Sequence, residues 1–454
     1  MNQGKTFTEG KILKPLILFA LPVLLALFLQ AMYGAVDLLI IGKFASAADV
    51  SAVSTGSQIM MTLTNLISSF AMGTTVLLGQ QIGSGKREEG GQTVGTAIVM
   101  FAGIAVVLTV LLVCFAPQIS RIMNAPQEAF GKTVAYVRIC GGGMLVIVAY
   151  NLIGCIFRGI GDSKTPLLTV AIACVCNIGG DLLLCAVFKM GTEGAAAATV
   201  FAQVVSVVVS FLFIRKRELP FLIKREYVKL QKRSLGKMTA LGAPIALQDL
   251  LVSVSFLIIL AIVNSMGVIA SAGVGVAEKV CAFIMLISSA FMQSISAFVA
   301  QNYGAGHMDR AKKALHYGAV VSFAIGVGMF FLTFFHGNIL AAIFSSDTEV
   351  ILAAADYLKA YAIDCMFTAI FFCYTGFYNG IGKTKFVMLQ GVIGALGIRV
   401  PVSYLMSIQP NTSLFRIGLA TPVSSIVQLL LCLGFMIFLN QKTKKCRSKS
   451  EFSK

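Results

Sequence analysis

Hydrophobic residues fall in long runs, separated by short polar stretches, along the whole 454-residue chain. Polarity does not alternate within them, and they exceed the roughly ten-residue alternating segments of a membrane β-barrel. Apolar runs of about 20 residues cross a bilayer as helices. Twelve spans are predicted, at roughly 15–41, 51–79, 92–115, 134–157, 166–188, 194–214, 238–264, 270–300, 315–344, 354–379, 387–408 and 416–440, each able to cross about 30 Å of hydrocarbon at ~1.5 Å per residue. The first run follows Lys5, Lys11 and Lys14 and precedes "ASA" (Ala45–Ala47), as a cleaved signal would. Its apolar part of about 27 residues exceeds the ~7–15 of a signal core, so it is expected to stay as a span.

Composition agrees with the pattern. The chain is 57% hydrophobic and 12% charged, where a soluble protein has about 25% charged residues. The net charge of +17 would suggest a nucleic-acid partner, but its placement argues for none. Roughly 27 of the 36 Lys and Arg fall in alternate loops and both termini once the N-terminus is placed inside, which follows the positive-inside rule. About six, Lys43, Arg121, Lys132, Lys189, Lys359 and Arg416, fall on the other side. Both termini are therefore expected to be cytoplasmic, with the tail "QKTKKCRSKS" touching acidic lipid.

Only one long polar stretch interrupts the middle, "RKRELPFLIKREYVKLQKRS" (Arg215–Ser234), and the two sides of it resemble each other. A shift of 221 residues carries "GQQIGSGKRE" (Gly79–Glu88) onto "AQNYGAGHMD" (Ala300–Asp309) and "FRGIGDSK" (Phe157–Lys164) onto "YNGIGKTK" (Tyr378–Lys385). "FALPVLLAL" (Phe19–Leu27) answers "LGAPIALQD" (Leu241–Asp249) at 222. The expected fold class is an all-α membrane protein with twelve transmembrane helices in two six-helix lobes. The lobes are about 1–220 and 221–454, joined by a cytoplasmic linker at about 215–237. Six is even, so both lobes enter from the same side and are related by an axis along the membrane normal. That geometry suits alternating access.

Several motifs lose their meaning in this setting. "GIGKT" (Gly380–Thr384) ends like a phosphate-binding loop, but Phe377 stands where the required Gly would be and no strand precedes it. The eleven cysteines contain no Cys-x-x-Cys pair and read as small apolar residues in spans. His307, His316 and His336 lie near span ends without metal spacing. No ATPase domain or nucleophile set is visible, so neither an enzyme nor a cofactor is expected. An ion channel is disfavoured for want of a filter motif.

The informative residues are charges within spans. Asp181 is the only charge in "LLTVAIACVCNIGGDLLLCAVF" (Leu167–Phe188). An acid at that depth costs several kcal/mol unless paired, neutralised or wet. Counting from the span ends, Asp37 lies about 9 Å deep, Asp181 about 12 Å and Thr199 about 9 Å. Asn177, four residues before Asp181, shares its helix face. Two carboxylates, an amide and a hydroxyl are hard oxygen ligands, suited to Na⁺ or to a proton shared between two repelling acids. The second lobe differs: Ile398 and Val402 stand at the equivalents of Asn177 and Asp181. Its own polar set is Asp249, Glu278, Lys279, Asp364 and Arg399. Asp364, Arg399 and Glu278 are candidates for a substrate or gating role, or for a charge set that holds the lobe together. Phe and Met, at 33 and 19 residues, could line a cleft for varied apolar cations.

These landmarks resemble the multidrug and toxic compound extrusion (MATE) family over nearly the whole chain. The specific marks are Pro22 with Asp37, "GQQIGSGKRE", "FRGIGDSKTP", "NIGGD" and "QNYGAGH". The nearest branch is that of bacterial multidrug exporters. The resemblance implies an antiporter in the bacterial cytoplasmic membrane, exchanging Na⁺ or H⁺ for small organic cations and acting as a monomer. It also implies that Asp37, Asn177, Asp181 and Thr199 form the cation site. Some members carry a Glu in the middle of segment 7; here "LLVSVSFLIIL" (Leu250–Leu260) has no acid. A flippase for a lipid-linked or polar metabolite on a similar fold is the alternative.

Overall fold

All regular elements in the computed structural model are helical among the residues it describes, 7–216, 218–410 and 412–451. Lys5 and Arg217 lie outside that set, as do the tail side chains beyond Lys442. Eleven helices are long and apolar enough to cross a bilayer, and a bent pair makes a twelfth span. In chain order, segments 1 to 3 are Leu13–Phe44, Ala47–Gly83 and Arg87–Cys114. Segment 4 is the pair Gln127–Gly142 and Met144–Gly159, and segments 5 and 6 are Lys164–Val187 and Gly191–Arg215. Segments 7 to 9 are Lys232–Asn264, Val268–Gly304 and Met308–Ala342. Segments 10 to 12 are Thr348–Gly380, Thr384–Ser407 and Leu414–Lys442.

Segment 4 departs from the single uninterrupted helix expected over 134–157. Its two halves meet at 56° around Gly143. Three consecutive glycines, Gly141–Gly143, weaken the helix there. Val200 of segment 6 fills the space that a Cβ on Gly143 would need, its Cγ1 only 2.6 Å from that position. A short helix, Ala116–Ile122, also follows segment 3 where no element was expected.

The packing is inside-out relative to a soluble protein. Leu39, Val106, Val175 and Phe201 point outward, while Ala195, Ala196, Ala198, Thr74, Thr75 and Ser206 are buried. Lipid tails are as apolar as Leu, so helices associate through close van der Waals contact and shared hydrogen bonds. Small side chains permit that approach: a Cβ on Gly180 of segment 5 would sit 3.0 Å from the Ala198 methyl of segment 6. Most cysteines are buried and all those described are free.

The described chain forms two compact units. The first comprises Met1–Ala246, Ala297–Ala311 and Gly380–Gly382. The second comprises Leu247–Ser296, Lys312–Asn379 and Lys383–Lys454. In the first, segments 1 to 6 contribute to a core that includes Ile41, Val53, Phe101, Val137 and Met144. In the second, Ile259, Val263, Val274, Tyr357 and Leu358 form the core.

At the start of segment 2, Asp49 ties three segments together. Ser46 caps the helix, accepting from the Asp49 N–H, while the Asp49 carboxylate accepts from the Ser46 N–H. The same carboxylate pairs with Lys132 of segment 4 at 2.7 Å. It also accepts from the Thr192 hydroxyl (2.8 Å) and N–H (3.2 Å) of segment 6. Gly191, at φ +54°, leaves room for it: a Cβ there would lie 2.7 Å from Asp49 Oδ1. The bonds from Lys132, Ser46 and Thr192 replace the water that the buried Asp49 carboxylate has lost. Asp49→Asn is expected to cost about 1–3 kcal/mol at pH 7, read as a lower thermal midpoint in detergent. A midpoint equal to that of wild type would contradict this account.

Candidate ion-coupling site

Three segments of the first unit bring the candidate acids together. Segment 1 carries Asp37, segment 5 carries Asn177 and Asp181 one turn apart, and segment 6 carries Thr199. Directly after Asp181 the α-helix widens into a π-helical turn, Leu182–Val187. Such turns recur at functional sites because they re-aim the side chains beside them. The close approach of Gly180 to Ala198 brings segment 6 against this turn.

The Asp37 carboxylate faces Asp181, Asn177 and Thr199. All but Thr199 are nearly sealed from solvent, at 5% exposure for Asp37, 1% for Asn177 and 0% for Asp181. Thr199 is half-buried and donates its hydroxyl to the Ala195 carbonyl at 3.0 Å, which leaves its oxygen lone pairs open. Asp37 Oδ1, both Asp181 oxygens and both polar atoms of Asn177 have no hydrogen-bond partner among the described residues. Buried polar atoms are normally paired, and a cluster of orphaned acceptors calls for a donor or a cation. Two carboxylates sharing one dry pocket repel each other unless a proton or cation lies between them. The possible ligands are all oxygens, from two carboxylates, the Asn177 amide carbonyl and the Thr199 hydroxyl, so a hard ion such as Na⁺ or a proton fits them. No group of three or more His, Cys, Asp or Glu among the described residues is placed to hold a metal ion.

The site opens onto further polar residues that were not anticipated. Asn177 and Thr199 line a small cavity with Tyr150 and Gln203. Tyr150 also lines a larger neighbouring cavity with Gln30, Asn151 and Arg158. Gln30 Nε2 donates to the Tyr150 hydroxyl at 2.8 Å, and Gln203 Oε1 is another orphaned buried acceptor. Spacing could have found two of these: Gln203 lies four residues after Thr199, and Gln30 seven before Asp37, each on the same helix face.

The second unit holds Asp364, Arg399 and Glu278. Asp364 and Arg399 are buried and close enough to attract each other, but no direct ion pair or hydrogen bond joins them among the described residues. Asp364 Oδ2 instead accepts from Thr368 at 2.7 Å. Arg399 donates to Ser255 at 3.3 Å and stacks its guanidinium over Phe256, 4.5 Å from the ring centroid. Arg399 ends a second π-helical turn, Ile393–Arg399. Glu278 Oε1 is buried and unpartnered, while its neighbour Lys279 is exposed, as expected of adjacent residues on a helix. Asp249 is exposed.

Twelve spans, a repeated six-helix pattern and a sealed pair of acids define a polytopic transporter of the two-repeat type. The MatE family profile matches residues 22–183 and again 244–405. The second match repeats the first at a shift of 222 residues. The chain belongs to the multidrug efflux MATE transporter family. It is 26% identical over 447 residues to the probable multidrug resistance protein YoeA of Bacillus subtilis, covering 97% of this chain and 96% of that protein. It is 24% identical to the multidrug export protein MepA of Staphylococcus saprophyticus, covering 88% of each. Among solved structures, MATE in the bent conformation superposes with a TM-score of 0.91 at 18% identity, covering 99% of both chains.

A double-mutant cycle tests the attraction in the second unit. Arg399→Leu alone leaves Asp364 without its opposing charge and is expected to lower the thermal midpoint by several degrees. Arg399→Leu with Asp364→Asn should recover part of that loss. Strictly additive losses would show that the two charges do not interact.

Proposed function

We propose that this chain is a cation-coupled antiporter that exports organic cations by alternating access, with Na⁺ or H⁺ as the driving ion. The observation that carries the reading is the Asp37–Asp181 pair, sealed from solvent with its acceptor atoms unpartnered beside Asn177 and Thr199. In the outward-facing state the ion would enter between the two carboxylates and relieve their repulsion. Segment 1, which carries Asp37 and holds Pro22 inside its helix, would then repack and favour release of the drug outside. In the inward-facing state the ion would leave and drug would bind again. Each ligand need only prefer one state by a few kcal/mol for the two movements to be coupled. The names of the relatives support the substrate class, and the basic loops support cytoplasmic termini. The flippase reading draws on one observation, Arg158 in the wall of the cavity beside the acid pair, where an anionic group would be welcome.

Efflux of a fluorescent lipophilic cation from proteoliposomes, with Na⁺ and H⁺ gradients imposed separately, distinguishes these. Wild type is expected to respond to one gradient. Asp37→Asn and Asp181→Asn are expected to lose that response while inserting normally. Wild-type efflux in either variant would sink the proposed ion site. No movement under either gradient would favour the flippase, with Asp181 reduced to a packing role.

A further inference from the structure

The repeat shift of 221 residues maps Gln80 onto Gln301, Gly83 onto Gly304 and Gly159 onto Gly380. All six residues belong to the first unit, which takes in the ends of segments 8 and 10. The structure joins them crosswise. Gln80 Nε2 donates to the Gly380 carbonyl at 2.9 Å, and Gln301 Nε2 donates to the Gly159 carbonyl at 3.0 Å. The backbones meet with the same symmetry. A Cβ on Gly83 would overlap the Gln301 carbonyl oxygen, and one on Gly304 would overlap that of Gln80. Gly159 and Gly380 are the last residues of segments 4 and 10, and the final carbonyls of a helix have no donor within it. Each repeat thus supplies the donor that a helix end of the other repeat lacks.

One half of this arrangement carries an addition. Phe7 packs its ring against Phe19 and Phe298, at 5.2 and 4.9 Å between centroids. Its carbonyl accepts from Asn302 at 2.9 Å. The Arg310 guanidinium donates to the carbonyls of Phe7 (3.1 Å), Glu9 (3.2 Å) and Gly10 (2.6 Å). The N-terminal arm is thereby stitched to the segment 8 side. The repeat equivalent of Arg310 is Glu89, which has no such donors.

We propose that the crossed glutamine bonds are a releasable clasp. The clasp holds the basic-side ends of the two repeats together in the state seen here and must open before substrate can enter from that side. The N-terminal arm is a strap that sets how readily it opens. The proposal rests on the alternating-access reading for its role in transport, though not for its existence. Its chemistry suits release: the bonds are between neutral groups at helix ends, and the touching surfaces are glycine backbone rather than interlocked apolar side chains. Neutral hydrogen bonds of this kind each change an equilibrium by about two- to tenfold, which a ligand can overcome.

Lys86 and His307, exposed and equivalent by the repeat, are suitable positions for a spin-label pair in the full chain with its other cysteines replaced. Distances are measured in nanodiscs without substrate or gradient. The parent is expected to show a dominant short distance. Gln80→Ala with Gln301→Ala should raise the long-distance population about tenfold, and Gln80→Asn with Gln301→Asn, too short to reach, should do the same without opening a gap. Phe7→Ala or Arg310→Ala should shift it in the same direction by less. Unchanged distributions in both glutamine pairs would overturn the clasp, whatever the protein transports. Shifted distributions in a protein whose parent moves no organic cation would keep the clasp and sink the exporter reading.

Discussion

A bilayer core has no water to satisfy a polar group, and this one constraint governs the chain at every scale. Backbone amides must bond within each span, so every span is a helix. Helices gain nothing by hiding Leu from lipid, so they meet through glycine, alanine, serine and threonine. A carboxylate that cannot be solvated must be neutralised or paired, so acids are confined to a few places where a ligand or another side chain can do it. Asp37 and Asp181 are such a place in one repeat. Asp364 and Arg399 solve the same problem in the other with a tethered cation.

The two repeats therefore show what duplication preserves and what it lets go. The turns after segments 2 and 8 and before segments 5 and 11 keep their sequence and their crossed contacts. The acids do not: Ile398 and Val402 replace the pair that makes the ion pocket. Backbone contacts between helix ends constrain both copies at once, because each glycine faces the other copy's carbonyl. A pocket inside one repeat carries no such reciprocal demand and can diverge.

Much of this was legible in the sequence because its signals are coarse and cumulative. Twenty apolar residues in a row, a fixed repeat shift and a lone acid in a long span each leave few physical options. Asp37, Asn177, Asp181 and Thr199 could be grouped by depth alone, and the structure places them face to face. What could not be read depends on local geometry. The packing of Val200 against Gly143, from some sixty residues away, leaves no local sign. The π-helical turns beside Asp181 and at Arg399 leave no mark in a hydropathy pattern. Tyr150 is an ordinary residue until the fold sets it beside the acids. The separate partners of Asp364 and Arg399, Thr368 for the acid and Ser255 with Phe256 for the guanidinium, were equally invisible.

Asp49 has a mechanical consequence. Its one carboxylate fastens the beginnings of segments 2, 4 and 6, like the crown of a tripod. Three even-numbered helices are thus pinned to one another at one end. Segments 1 and 5 are not fastened at that crown. They are also the helices that carry Asp37 and Asp181, the first with Pro22 inside it and the second with a π-helical turn. The two carboxylates that an arriving ion would meet thus sit on helices outside that pin, while Thr199 sits on a helix within it.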